Sequence, residues 1–191
     1  MSTVIESLHA DHLRLTRVVR LLDEQANLHT GATAPNIALL VDALCYLTRF
    51  PDVTHHTLED RIVERLLAKK ALSIELGREI EAQHLTLIQE GRDLLRDLEA
   101  ATGGENMSQD LVDIHVRLYA ERLRHNMIIE ELTLFPAAKN GLDDEDWRMI
   151  KDFGPWAQSD PLFDGEVDER FAQLYRVITA EAKTAHAEAL R

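Results

Sequence analysis

Cysteine, clusters of basic residues and long apolar runs are all scarce in this chain of 191 residues. The single cysteine, Cys45, excludes an intrachain disulfide framework and a zinc site built from several thiolates. No basic cluster exceeds the pair Lys69 and Lys70, and 34 acidic residues against 21 basic ones give a net charge of -13. Nucleic acids and anionic membranes bind proteins through clustered Lys and Arg, so we expect neither as a partner.

The apolar stretches are only a few residues long, whereas a helix that spans a bilayer needs about 20 apolar residues. The first ten residues have neither a basic start nor an apolar run long enough for export. We therefore expect a cytoplasmic protein that does not enter the membrane. Its 45% of hydrophobic residues is enough to build a core in a chain of this length.

Four long segments carry apolar residues at alternating steps of three and four, which lays one stripe along one face of a helix. The stripes are Ile5, Leu8, His12, Leu15, Val19 and Leu22; Leu40, Leu44, Leu47, His55, Leu58, Ile62 and Leu66; Ile80, His84, Leu87, Gly91, Leu94 and Leu98; and Leu111, Ile114, Leu118, Glu121, His125, Ile128, Leu132 and Phe135. Pro51 lies inside the second segment and is expected to interrupt its helix. Long helices joined by short loops predict an all-α, up-down-up-down four-helix bundle.

The residues after position 140 follow a different pattern. An acidic segment, DEDW at 144–147, predicts a short helix, and a last helix is predicted from Glu166 to about Leu190. The last helix carries its own apolar face, which has to be buried against something. We therefore predict a four-helix bundle over residues 1–140 and a C-terminal extension over 141–191 that packs on the bundle.

Nine histidines are present, and one of them lies in each of the four stripes. These four are His12, His55, His84 and His125. In antiparallel neighbouring helices they come to a comparable depth, so four imidazoles would meet inside the bundle. Glu59 follows His55 by four residues and lies about 40° away on the same face, and Glu130 follows His125 by five.

Buried imidazoles and carboxylates predict a metal site, because such groups are costly to bury unless a cation balances them. Nitrogen and oxygen donors without thiolate suit iron or manganese, and zinc as a further alternative. Two carboxylates placed to bridge suit two metal ions. We therefore predict a site for two iron ions, with manganese or zinc as the alternatives.

The other five histidines fall beside the stripes, in a turn or in the polar tail, and we leave them out of the predicted site. They are His9, His29, His56, His115 and His186. His56 is the first of them to reconsider, because a shift of one residue, or the interruption at Pro51, would exchange it with His55.

A faint internal repeat supports the choice of residues. His-Leu-x-Leu occurs at His12 and again at His84, 72 residues later. The offset from Glu59 to Glu130 is 71 residues, and the offset from His55 to the fourth histidine, at position 125, is 70. Two helical hairpins related in this way would form a bundle with an approximate two-fold axis.

Together with His12 and His84, two segments resemble the hemerythrin-like family, also called the HHE cation-binding domain: FPDVTHHTLEDRIVERLL at 50–67 and RHNMIIEELTLFP at 124–136. The resemblance covers roughly residues 1–140, and the DEDW and DPLF segments are similar to the C-terminal extension of some bacterial members. It implies a four-helix bundle around a non-haem di-iron centre, bridged by two carboxylates and an oxo or hydroxo group. The implied metal ligands are His12, His55, Glu59, His84, His125 and Glu130.

The resemblance also implies a function, which is to bind, sense or react with dioxygen, peroxide or nitric oxide. If the protein is an enzyme, we expect an oxidoreductase that acts on peroxide or nitric oxide. A sensor would need a partner protein, and either a homodimer or a different protein partner is compatible with the sequence.

Two departures from the family pattern affect the expected site. Many bacterial relatives place the glutamate four residues after the fourth-helix histidine, whereas Glu130 follows His125 by five, about 140° away on a regular helix. A π-bulge would reduce this angle. A regular helix favours Glu121 as the ligand instead, whereas the resemblance favours Glu130.

The oxygen-carrying members have a second histidine four residues after the one at His84, where this chain has Ile88. Six protein ligands for two metals leave open coordination positions, which makes reversible oxygen carriage the less expected role.

Two other readings stay open from the sequence. A ferritin-like di-metal site would use two Glu-x-x-His motifs and two single glutamates. That set is Glu6 with His9, Glu81 with His84, and Glu59 and Glu130. It ranks lower because it leaves His12, His55 and His125 without a role. The second reading is a metal-free helical module whose acidic faces and C-terminal helix bind another protein or a second copy.

Overall fold

The computed structural model describes residues 2–27, 35–102, 108–152 and 159–189. Within these ranges every regular element is helical and no residue is in a β-strand, which confirms the all-α prediction. The elements are α1 (Ser2–Asn27), α2 (Ile37–Arg49), α3 (His55–Ala68), α4 (Ile74–Thr102), α5 (Gln109–Ile129), a π-helical segment (Glu130–Leu134), α6 (Phe135–Gly141), α7 (Asp144–Lys151), a 3-10 turn (Glu169–Phe171) and α8 (Ala172–Ala189).

Four helical columns form the bundle: α1, α2 with α3, α4, and α5 with the π-helical segment and α6. The first column packs on the fourth and the second, and the third packs on the second and the fourth. Each column is joined to the next by a short connection, so that neighbours run antiparallel. The predicted up-down-up-down four-helix bundle is confirmed.

The second column is interrupted at Pro51, as the sequence predicts. α2 ends at Arg49, and a turn separates it from α3, which begins at His55. Proline has no N–H for the helical ladder, whereas its carbonyl accepts a hydrogen bond from the backbone N–H of His56 at 3.0 Å. The break places two adjacent histidines in the first turn of α3, and both are buried.

The apolar core is divided into two clusters by a polar layer. One cluster lies toward the α2 end of the bundle and includes Leu15, Leu44, Leu94 and Leu123. The other lies toward the α3 end and includes Leu8, Ile62, Ile80, Leu134 and Phe135. In each column the gap between the two clusters falls where buried histidine, glutamate or asparagine side chains stand.

The first three predicted stripes are buried in full, but the fourth prediction is wrong. Over α5 and the π-helical segment the predicted stripe points outward, and its apolar members there are 44% to 71% exposed: Leu111, Ile114, Leu118, Ile128 and Leu132. Its last member, Phe135 of α6, is buried. The core is instead reached by a second set on the same helix, which comprises Val112, Val116, Tyr119, Leu123 and Met127. Both sets have helical spacing, and they lie on roughly opposite faces of the same helix. Periodicity identifies a face but does not say which of two apolar faces turns inward.

The C-terminal residues contact the second column and α1. α7 packs on α3, and α8 packs on α2 and α1. Tyr46 donates its hydroxyl hydrogen bond to Asp160 at 3.0 Å, and Arg14 donates to Asp164 at 2.7 Å. Phe171 joins the core cluster beside α2 together with two residues of α8. The predicted domain boundary at residue 140 stays a prediction, and the predicted helix end at Leu190 lies outside the described residues.

Among the described residues, no helix has the length and the apolar character that crossing a bilayer would require.

Candidate metal centre

Seven polar side chains fill the layer between the two apolar clusters, and none is more than 4% exposed. They are His12 of α1; His55, His56 and Glu59 of α3; His84 of α4; Asn126 of α5; and Glu130, the first residue of the π-helical segment. All four columns therefore contribute to one buried site.

The carboxylate of Glu59 lies between imidazoles on two sides. Its Oε1 is 3.2 Å from Nε2 of His55 and 3.5 Å from Nε2 of His12. Its Oε2 is 3.6 Å from Nε2 of His84. Each oxygen thus faces a different part of the layer.

Glu130 stands between the same two sides from the opposite column. Its Oε1 is 2.8 Å from Nε2 of His84, and its Oε2 is 3.5 Å from Nε2 of His12. Nε2 of His12 and Nε2 of His55 are only 3.1 Å apart, so both rings point their outer nitrogens at one place. The geometry is that of two carboxylates placed to bridge a pair of cation positions.

The second nitrogen of each imidazole faces a carboxylate outside the layer. Nδ1 lies 2.8 Å from Glu131 for His12, 3.4 Å from Asp11 for His55, 3.2 Å from Asp52 for His56 and 2.7 Å from Asp60 for His84. Metal-ligating histidines in proteins are commonly held this way, because the outer carboxylate fixes the ring and leaves the other nitrogen free for a metal. The sequence reasoning did not identify these four acidic residues.

Two groups of side chains offer ligand atoms that lie within 4.8 Å of one another. One group is His12, His55, Glu59 and Glu130, and the other is His56, Glu59 and His84. Glu59 belongs to both groups, so the arrangement suits two neighbouring cations rather than one. Imidazole and carboxylate donors are the set that iron, manganese and zinc accept.

Several buried oxygens of the layer have no hydrogen-bond partner, which supports a cation in the site. Both carboxylate oxygens of Glu59, Oε2 of Glu130 and Oδ1 of Asn126 are in this state. A buried polar atom without a partner costs free energy, and a buried carboxylate costs more. A metal ion would satisfy these oxygens, so the residues present fit the metal that the donor set indicates.

The pKa values of three imidazoles in the layer are raised, because carboxylates lie close to them. Burial lowers the pKa of His12, but contacts with Glu130 and Glu59 outweigh it and raise the pKa from 6.5 to about 10. The same balance raises the pKa of His84 to about 10 and the pKa of His55 to about 9. Protons on these rings neutralise the carboxylates when no metal is bound, and a metal that binds takes their place.

His56 differs from the other three rings. Burial lowers the pKa of His56, and the neighbouring charge of His84 lowers it further. The two rings stack with centroids 4.4 Å apart at an interplanar angle of 16°. Nδ1 of His56 lies near Asp52 without a well-aligned hydrogen bond, and Nε2 has no hydrogen-bond partner. A neutral imidazole with a free lone pair is the form that binds a metal.

His125 is the predicted ligand that the structure does not bring into the layer. Its side chain is exposed and lines a groove between α4 and α5. The π-helical segment begins only at Glu130, so the interval from His125 to Glu130 is regular helix and the two stay about 140° apart. Glu121, the alternative carboxylate, is also exposed and pairs with Arg124 at the surface.

Asn126 occupies the position that the sequence reasoning gave to His125. It stands four residues before Glu130, which is the spacing that puts two side chains on one helical face. A usable signal was present in the internal repeat, because an offset of 71 residues relates Glu59 to Glu130 and also His55 to Asn126. The repeat therefore relates His55 to position 126, but position 126 holds asparagine, so a search for histidines did not find it.

One solvent groove reaches the half of the layer that contains His84, and a second groove lies next to that half. A groove of about 470 Å³ between α4 and α5 is lined by Gln83, whose Oε1 accepts a hydrogen bond from Asn126 at 3.4 Å. A groove of about 460 Å³ between α3 and α4 is lined by Asp60 and by His84 itself. The half that contains His12 is more closed, since Phe135 stacks on that ring with centroids 5.2 Å apart.

The sequence was compared with known protein families. The sequence model of the family described as the hemerythrin HHE cation binding domain matches residues 3–138. The matched range includes every residue of the polar layer. Comparisons with curated proteins and with solved structures gave no match.

Proposed function

Because the chain belongs to the hemerythrin HHE cation-binding domain family, we propose that it is a non-haem di-iron protein that binds, senses or reacts with dioxygen, peroxide or nitric oxide. Two buried carboxylates, Glu59 and Glu130, carry this proposal. Each of them lies between imidazoles on both sides of the layer. Their unpartnered oxygens match the need of a two-metal site for bridging ligands.

In this proposal each metal position is held by two imidazoles, and the carboxylates lie between the positions. His12 and His55 hold the first position, and His56 and His84 hold the second, with Glu59 shared between the positions. Glu130 approaches both sides from the fourth column. When iron is bound, it supplies a redox centre and a Lewis acid for a small oxygen- or nitrogen-containing ligand.

The small ligand binds on the side of the second position. Asn126 stands there instead of a fourth-helix histidine, so the fourth column adds no imidazole to this position. The groove between α3 and α4 is lined by His84, and the groove between α4 and α5 is lined by Gln83, which contacts Asn126. The amide of Asn126 already donates a hydrogen bond to Glu130, which orients that carboxylate within the layer.

The side of the first position is more enclosed, and the pocket beside His55 has a volume of about 70 Å³. The ring of Phe135 covers His12, and Glu131 accepts at the Nδ1 of the same histidine at 2.8 Å. A more enclosed first position and a more accessible second position suit chemistry in which one side holds its metal firmly while the other side admits a ligand. This asymmetry favours a reaction with peroxide or nitric oxide over reversible oxygen carriage.

Metal analysis and absorption spectroscopy test the proposal on full-length protein purified from iron-supplemented cells. We expect about two irons per chain and charge-transfer bands that change when peroxide or nitric oxide is added. The Glu59→Gln variant is expected to lose the bands, and the Glu121→Gln variant to keep them. Wild-type protein that is colourless and lacks stoichiometric metal would contradict the proposal.

The ferritin-like alternative predicts a different pattern of metal loss. Glu6 and Glu81, which that site would need, have exposed side chains. We therefore expect His12→Ala to lose metal and His9→Ala to keep it. The reverse result, with metal lost only from the His9 variant, would favour the ferritin-like site.

A further inference from the structure

The outer face of α5 carries an apolar stripe that lies apart from the metal centre. We call the residues of this face, together with its continuation onto the π-helical segment at Leu132, the α5 stripe: Leu111, Ile114, Leu118, Glu121, His125, Ile128 and Leu132. Its five apolar members are each at least 44% exposed. A contiguous apolar surface on a soluble protein commonly marks an interface with another macromolecule.

The spacing of the α5 stripe is that of a helix that packs on a second helix. Its members recur at steps of three and four without a break over three heptads, from Leu111 to Leu132. Heptad spacing of apolar residues is the pattern of helices that associate along their length. The opposite face of α5 already packs in the core of its own bundle, so the α5 stripe is available to a partner.

The order of residues within the stripe is nearly symmetric about its centre, which favours a second copy of the chain as the partner. The two polar members, Glu121 and His125, stand side by side at the centre, and apolar residues follow in both directions. We propose that the α5 stripe is the interface of a homodimer, in which α5 packs antiparallel on α5 of a second copy about a two-fold axis beside position 123.

This antiparallel register pairs every inner member of the stripe with a suitable counterpart. It sets Glu121 opposite the partner's His125, and the two-fold axis repeats that pair. It sets Leu118 opposite the partner's Ile128, and Ile114 opposite the partner's Leu132. A parallel arrangement would instead set Glu121 against Glu121, and like charges that face each other across an interface are unfavourable.

The basic residues beside the centre of the stripe are already balanced within one chain. Arg122 contacts Glu90 of α4 at 3.0 Å. Arg124 pairs with Glu121 and with Asp23 of α1. Because these two positive charges are compensated within one chain, they do not repel a second copy that approaches the stripe.

The proposed interface also covers the groove between α4 and α5. Leu118, Glu121 and His125 line that groove, and Gln83 at its base contacts Asn126 of the metal layer. Dimerisation would therefore leave the groove between α3 and α4 as the open approach to His84. The pairing itself involves no metal ligand, so the dimer can be tested independently of the proposed di-iron function.

Sedimentation velocity of the full-length chain over a series of concentrations tests the interface. We expect a dimer whose dissociation constant rises roughly a hundredfold in Leu118→Glu and in Ile128→Glu, because each variant buries a carboxylate against an apolar partner. The matched control is Leu85→Glu, at a position on α4 that is 68% exposed and lies off the stripe. A wild-type chain that stays monomeric, or a Leu118→Glu variant that dimerises as well as wild type, would overturn the proposal.

A charge exchange tests the register. His125→Glu alone sets two carboxylates opposite each other and weakens the dimer, whereas adding Glu121→Lys in the same chain restores an attractive pair and recovers the association. A double variant as weak as the single variant would rule out the antiparallel register. Far-UV circular dichroism checks that each variant keeps its helix content, and metal content measured on the same samples tests the di-iron function independently.

Discussion

The side-chain amide of Asn126 donates a hydrogen bond to Oε1 of Glu130, one helical turn later on the fourth column, at 2.8 Å. The same oxygen is 2.8 Å from Nε2 of His84. The amide nitrogen that donates here does not bind a metal as an imidazole does, so the side chain orients a carboxylate and leaves its oxygen, Oδ1, as the atom that a metal would accept. The fourth column therefore contributes no imidazole to the metal centre.

Replacing this asparagine by histidine is expected to strengthen the second metal position. In Asn126→His an imidazole would stand beside the group formed by His56 and His84. We expect the affinity for the second metal ion to rise about tenfold, the lower end of the range by which single changes around a metal alter its binding. Anaerobic calorimetric titration with ferrous iron measures this, and His125→Asn serves as the exposed neighbouring control. An unchanged second affinity would contradict the assignment of this position.

Two histidine variants separate the structural assignment from the sequence prediction. His56 is buried beside Glu59, whereas His125 lies in a surface groove. We expect His56→Ala to bind about one metal ion instead of two, because the second group then retains a single imidazole. His125→Ala is expected to keep both ions. Metal loss from the His125 variant alone would mean that the fourth column is rotated relative to the structure described here.

A change at the shared carboxylate is expected to affect both metal positions. Glu59→Gln keeps the size of the side chain but removes its charge and one of its acceptor oxygens. Because Glu59 belongs to both ligand groups, we expect metal content to fall below one ion per chain, as measured by elemental analysis. Glu121→Gln, which removes a surface carboxylate, is the matched control. Retention of one tightly bound ion in Glu59→Gln would indicate that Glu59 serves only one position.

A fourth prediction concerns the close packing of α4 against its neighbours. A Cβ added at Gly91 would lie 2.9 Å from Cγ2 of Thr48 and 3.1 Å from Cε2 of Tyr119. We expect Gly91→Ala to lower the free energy of unfolding by about 1–3 kcal/mol, as overpacking does in other cores. Thr48→Ser removes the Cγ2 atom, so the double variant is expected to recover part of the loss in urea denaturation. At an exposed helical site the same change would stabilise the protein, and a stabilised Gly91→Ala would contradict the packing.

Much of the fold follows from local sequence rules. Three of the four apolar stripes are buried as their periodicity predicts, and the break at Pro51 follows from the missing N–H of proline. The histidines at 12, 55 and 84 could be found because each interrupts an apolar stripe that turns inward. An imidazole in such a stripe has to lie inside the bundle.

The fourth column could not be predicted in the same way. α5 carries two apolar sets with helical spacing, one that includes Leu118 and one that includes Tyr119. The choice between them determined whether His125 or Asn126 would face the site. A π-bulge between His125 and Glu130 would bring the two side chains together, but the π-helical segment begins only after Ile129 and leaves His125 facing outward.

The sequence by itself determined the four amphipathic columns, the interruption of the second column and a polar layer of histidine and glutamate, because these depend on spacing along one chain. Only the tertiary structure decided which face of α5 is buried, which brought His56 and Asn126 into the layer and left His125 outside it. Helical periodicity does not change when a helix rotates about its own axis, whereas burial depends on where the neighbouring helices stand. The rotation of α5 is fixed by packing against α1 and α4, and no local pattern in α5 contains that information.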